Sequence, residues 1–217
     1  MAQVLLLCTV HQPRGAYTEK ALLEVLQEQS PDVIFLEWRS SDPKATRMRT
    51  VEGSAARQYA ERTKAIIVGV DDFEPPPSFR DDTDAVFDYV ENTSEDFIRL
   101  AAQREEMASQ GIRAINSEPF ESLLQQSERA IEFAIQESGL EEAKLRHAAW
   151  NASLRSREGA MVSKIYDFCR DRPGIRAVLL VGAAHLPGLV TCIERRISLE
   201  PAVAKWGLWN RGRRLDR

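Results

Sequence analysis

Four short, uninterrupted apolar runs punctuate the chain: Val4–Val10, Asp32–Trp38, Ala65–Val70 and Arg176–Val181, each rich in Val, Ile or Leu and bounded by polar, Gly or Pro residues. Continuous rather than alternating apolarity marks strands covered on both faces, as in a parallel sheet. The segments between them carry a helical period. Thr18 can cap a helix holding Ala21, Leu22, Val25 and Leu26, which ends before Ser30-Pro31. Lys44–Thr63 reads as a second helix and Asp84–Gln110 as one or two more. Glu121–Glu137 sets Leu124, Ile131 and Ile135 on one stripe, and Gly139 stops it. A long helix then runs through Met161, Ile165, Phe168 and Cys169 toward Pro173-Gly174, and Leu186–Arg196 forms another. Trp206–Trp209 reads as a last edge strand followed by a basic tail. The expected architecture is one α/β domain over 1–217, with a central, mainly parallel sheet flanked by helices and a helical insertion over roughly 81–150.

Composition narrows the setting. A length of 217 residues, 43% of them apolar and 29% charged, is ordinary for a single globular domain and excludes a disordered or collagen-like chain. Three cysteines without a CxxC pair or zinc-like spacing argue against a disulfide scaffold and for a reducing, cytoplasmic setting. No apolar run reaches the ~18 residues of a membrane span. Val4–Cys8, preceded by Met-Ala-Gln, is too short and wrongly flanked for a signal peptide. A net charge of −4 gives no global drive toward nucleic acid or membrane. Residues 1–112 carry 12 basic and 20 acidic side chains, residues 113–217 carry 17 and 13, an asymmetry that reads as solvated helix faces.

Candidate chemistry follows the strands. After the four apolar runs come His11, Glu37-Trp38-Arg39, Asp71-Asp72 and Gly182-Ala183-Ala184-His185. Ligands of open α/β sheets bind beyond the carboxyl ends of the strands, so two histidines and two acids at such ends form a constellation. A buried Glu37 requires a cation, a histidine or a metal beside it. Two imidazoles and a carboxylate, His11, Glu37 and His185, with an open position could hold Zn, Mn or Co and activate a bound water. Gly182 and Gly188 either let backbone approach a substrate and aim amides at an oxyanion, or merely turn the chain from strand into helix. Glu158 interrupts the apolar stripe Leu154, Met161, Ile165 and Phe168, so it either sits at the rim or faces inward onto a partner. Cys8 reads as inert core and His147 as structural.

The blocks VLLLCTVH, PDVIFLEWR and VLLVGAAHLPGL, in that order, resemble the signatures of the superfamily that includes erythromycin esterases, ChaN-type haem-uptake proteins, TraB/PrgY proteins and Tiki proteases. Its members share two GxxH blocks, a Glu after the second strand and an Arg-Asn or Arg-Asp pair on a late helix. Here Glu37 matches the Glu, Gly182 to His185 the second GxxH and Arg157-Glu158 the late pair, while Cys8 replaces the first glycine. The resemblance implies an α/β fold with the histidines and Glu37 around one cleft.

The expected function is hydrolysis of an ester or amide bond. His11 and His185 would bind a divalent metal, with Glu37 as third ligand or general base, and Arg157 or Arg39 would hold an anionic group or the oxyanion, beside Asp71 and Gly182. A metal-free variant has a histidine polarised by Glu37 activate water directly. The competing expectation is a module binding haem or another ligand without catalysis, with Tyr17, Tyr59 and the histidines as candidate iron ligands. Expected partners are a small-molecule or peptide substrate and a second copy in a homodimer, with neither nucleic acid nor membrane.

Overall fold

The computed structural model describes residues 1–38, 49–74, 76–212 and 215. Five parallel strands form one sheet in the order β3-β2-β4-β1-β5: β1 Ala2–Thr9, β2 Val33–Leu36, β3 Ile66–Gly69, β4 Arg176–Gly182 and β5 Ala204–Leu208. The all-parallel α/β class is the one the apolar runs demand. Val33–Leu36 and all but the first residue of β4 are buried, as strands covered on both faces must be. β5 is the edge strand expected near Trp206, paired with β1 from Ala2↔Ala204 to Leu6↔Leu208.

The chain steps from β1 through helix α1 (Glu19–Gln29) to β2 and through α2 (Val51–Thr63) to β3, then returns to insert β4 between β2 and β1. Right-handed crossovers therefore put α1 and α2 on one face and the later helices on the other. Thr18 caps α1, accepting from the Ala21 amide at 3.2 Å, as the sequence predicts. The second helix begins later than its apolar pattern suggests. Thr50 is its N-cap, accepting from Gly53 at 3.2 Å, and the stretch from Lys44 to Met48 lies outside the described residues.

Between β3 and β4 run α3 (Phe79–Thr93), α4 (Glu95–Ser109), the single turn α5 (Ile112–Ile115), α6 (Glu118–Glu137) and α7 (Glu141–Arg170). Val86, Val90, Phe97, Ile131 and Ile135 give α3, α4 and α6 a small core of their own. The helical region extends beyond 150 because α7 is continuous, carrying the chain from this insertion back over the sheet. There Phe168 meets Phe35 of β2 edge-on, and Tyr166 stacks on Trp206 of β5. Helix α8 (Leu186–Leu199) packs beside α7. No helix among the described residues is long and apolar enough to cross a membrane.

Candidate functional site

The sheet order creates a switch point. β4 lies between β1 and β2, and the chain leaves its carboxyl end toward the face opposite the one it takes from β1 and β2, which opens a crevice there. His11, Glu37, Asp71 and His185 emerge from the ends of β1, β2, β3 and β4. The structure brings them together.

Glu37 is the hub. Its Oε1 accepts from Arg157 Nη2 at 2.8 Å and from His185 Nε2 at 3.1 Å, and its Oε2 accepts from the Gly182 amide at 2.9 Å. Arg157, reaching in from α7, also donates from Nε (3.1 Å) and Nη2 (2.8 Å) to Asp71 Oδ2. The other ring nitrogen of His185 donates to Glu158 Oε1 at 3.0 Å. Glu158 thus faces inward, 4% exposed, and the break it makes in the apolar stripe is the mark of a buried ion pair. Buried carboxylates of this kind persist only when paired and hydrogen-bonded, and each here has a cationic partner.

These contacts set the protonation states. Burial pushes the Glu37 carboxyl up, but hydrogen bonding to His185, the charges of His185 and Arg157 and the Gly182 amide together bring it down to about 2. Burial opposes a charge on His185, yet the hydrogen bonds to Glu158 and Glu37 and the Glu37 charge outweigh it and raise the ring to about 9. His185 is therefore an imidazolium at neutral pH, with both N–H groups given to carboxylates.

His11 differs. Its Nδ1 lies 2.5 Å from Glu52 Oε1, in the first turn of α2, and its side chain is 49% exposed against 7% for His185. The hydrogen bond to Glu52 raises its pKa above 6.5, with burial working against it. Its Nε2 points toward Gly182, where a Cβ would sit 3.1 Å from that nitrogen and 3.2 Å from Glu37 Oε2. Gly182 is the space through which His11 and Glu37 approach each other. Gly188 has a similar role, because a Cβ there would run into the Glu158 carboxylate. The turn from strand to helix and the room for side chains are thus both met by glycine, while the Gly182 amide is committed to Glu37.

Two residues of this site carry no sequence signal. Glu52 reads as an ordinary first-turn acid complementing the helix dipole. Asn116, just beyond α5, accepts from the Cys8 amide at 2.8 Å and donates to the Cys8 carbonyl at 3.0 Å. β5 stops pairing at Leu6, so this side-chain amide stands in for the next strand residue and fixes the end of β1. Arg211 holds Asn116 in turn, donating to its carbonyl at 3.1 Å.

The remaining candidates fall elsewhere. Arg39 lies outside the described residues. Cys8 is buried in the core, its thiol pushed up to about 12 by burial. His147 meets Asn151 at 3.1 Å on α7. Tyr59 donates to the Pro31 carbonyl at 3.2 Å, and Tyr17 is fully buried.

The donor set argues against a shared metal. Both imidazoles give Nδ1 to a carboxylate, the arrangement that orients ligand histidines. Glu37, however, already accepts from Arg157, His185 and Gly182, and His185 has both nitrogens engaged. As placed, His11, Glu37 and His185 do not fit a shared cation, and no group of three or more His, Cys, Asp or Glu among the described residues is disposed to hold one.

No protein family, curated protein or solved structure matches this chain.

Proposed function

We propose that the protein hydrolyses an ester or amide bond with water activated by His11. The observation that carries this reading is the pairing of a half-exposed imidazole with a buried carboxylate: Glu52 fixes Nδ1, so Nε2 faces the crevice as a base. In this reading Glu52 orients the ring and stabilises the imidazolium formed when water gives up its proton. Arg157 supplies positive charge beside the carbonyl oxygen as it becomes an oxyanion, while His185, enclosed between Glu37 and Glu158, holds Glu37 in place. Arg157 has Nη1 uncommitted among the described residues, whereas its Nε and Nη2 hold Asp71 and Glu37 in place. Once the tetrahedral intermediate has formed, protonated His11 returns the proton to the leaving group. The resemblance of the strand-end blocks to erythromycin esterases and their relatives supports the same class of chemistry.

The test is turnover by wild type and His11→Ala on a panel of acyl esters and peptide amides. Loss of turnover in the folded variant is expected; undiminished turnover would overturn the reading. Elemental analysis of both proteins decides the role of Zn, Mn or Co: a stoichiometric metal in wild type that is lost in His11→Ala would replace the direct base with a metal-bound water.

A further inference from the structure

β4 holds β1 as far as Thr9, but β5 releases it after Leu6. From there the neighbour of β1 is a junction of two distant segments, residues 112–121 and the arm that follows β5. Trp209, the first residue of that arm, donates its amide to the Leu6 carbonyl at 3.0 Å. The next position along the same edge, Cys8, is taken by Asn116, whose side-chain amide meets both main-chain groups of Cys8. The same amide nitrogen donates to the Ile112 carbonyl at 2.9 Å, and Asn116 is 2% exposed. With its oxygen and both N–H groups used, this side chain has one orientation, and Cys8 lies where residues 112–116 put it.

The arm decides where that is. Arg211, its side chain 4% exposed, donates from Nε to the Asn116 carbonyl at 3.1 Å and from Nη2 to the Ser117 carbonyl at 3.2 Å. Its Nη1 pairs with Glu121 of α6. A planar fork of this kind holds several acceptors at fixed spacing, which a flexible ammonium does not. Arg113 Nη1 donates to Asn210 Oδ1 at 3.1 Å, and Asn210 Nδ2 returns a bond to the Arg113 carbonyl at 3.2 Å. The arm is in turn tied to the sheet, because Leu215 is buried and gives its amide to the Trp206 carbonyl at 3.0 Å.

His11 stands three residues beyond Cys8, and its carbonyl accepts from the Val51 amide at 3.1 Å. The stretch that carries the imidazole is thus gripped twice, by Asn116 before it and by α2 beside it. We infer that Asn116 and Arg211 are positioning residues for His11, so that the carboxyl-terminal arm sets the geometry of the proposed base. This inference rests on the reading of His11 as the general base, and both residues act on the reaction only through β1.

Arg211→Met keeps an unbranched buried stem and removes the three donors. The ring nitrogen resonances of His11, recorded by NMR on substrate-free protein, read its placement against Glu52 directly. In Arg211→Met they are expected to move, and kcat on the ester and amide panel to fall about tenfold at unchanged KM as the ring loses its alignment. Arg172→Met, which removes an arginine–carbonyl bond at the opposite end of the sheet, leaves both unchanged. Unmoved His11 resonances, or an unaltered kcat in an active enzyme, overturn the proposal. Should wild type turn over nothing on the panel, or His11→Ala keep its turnover, the hydrolase reading fails. The His11 resonances then decide alone whether the arm positions that ring: displaced, they uphold it; unmoved, they overturn it. If Arg211→Met does not fold, Arg211→Lys takes its place with the same expectations, since it keeps the charge opposite Glu121 and loses the fork across the two carbonyls.

Discussion

His11 and His185 follow the ends of neighbouring strands that pair in register, Thr9 opposite Gly182, and each gives Nδ1 to a glutamate. What separates them is the second nitrogen and the depth. His185 is enclosed with a second acid on Nε2, so burial and two carboxylates make it a fixed cation. His11 has one acid and a half-exposed side chain, on which its proposed role as a base rests. Two copies of one residue, each just beyond a neighbouring strand, thus become an electrostatic anchor and, in the proposed reading, a base. The number of carboxylates each meets decides which.

Substituting each histidine breaks that comparison at its strongest points. His11→Ala should lower turnover by about 10²–10⁴-fold, the range of a lost general base. Its unfolding free energy should fall less than that of His185→Ala, by about 1–3 kcal/mol, because the half-exposed ring buries little but Glu52 loses its hydrogen-bond partner. His185→Ala should do the reverse in emphasis. It leaves Glu37 and Glu158 buried without their shared cation, and urea unfolding should report a loss of about 3–5 kcal/mol. Equal stability losses in the two variants would erase the distinction drawn here.

The anchor was more legible in the sequence than the base. Uninterrupted apolar runs give the strands away, and once they are strands, His185 and Glu37 must lie at one end of the sheet. Glu158 announced itself by interrupting an apolar stripe, and only the choice between rim and core awaited the structure. Glu52 could not be read in this way, because an acid in a first helical turn is ordinary. Asn116 is joined to Cys8 across 108 residues, a contact that no local pattern encodes. Among the described residues the second helix starts at Val51, because Thr50, in extended backbone, caps it.

The glycine beside the anchor sharpens the comparison with a smaller effect. Gly188→Ala places a methyl group where the Glu158 carboxylate now lies, so Glu158 must leave His185 or α8 must shift. A loss of about 1–3 kcal/mol is expected, as for overpacking at a buried site. Gly182→Ala presses instead on His11 Nε2 and Glu37 Oε2, where a few tenths of an ångström suffice. It should therefore reduce turnover more than stability. Thermal unfolding and turnover measured together on the two variants would show the order reversed if the two histidines were equivalent.

The pH dependence of stability reads the two histidines together, with His185 the larger contributor, without altering a contact. The His185 pKa rises from 6.5 in the unfolded chain to about 9 in the fold, so the folded state holds the proton more tightly. That contribution is complete below pH 6.5 and is lost as pH climbs through about 9. Between those values the unfolded chain binds fewer protons than the native protein, and unfolding free energy must fall as pH rises, by at most about 1.4 kcal/mol per pH unit for one proton. Glu37 cannot produce this slope: with its pKa lowered to about 2, its contribution is complete above 4.5 and is lost only as pH falls. Urea unfolding at intervals across that alkaline window should show the decline in wild type and a shallower one in His185→Ala, where the raised His11 alone contributes. In the proposed mechanism turnover obeys the other histidine. The base works only when neutral, so activity should rise with pH through the raised His11 pKa, over a range where stability is already beginning to fall. A protein whose stability held constant from pH 6.5 to 9 would mean that His185 is neutral in the fold and that the two rings differ only in exposure.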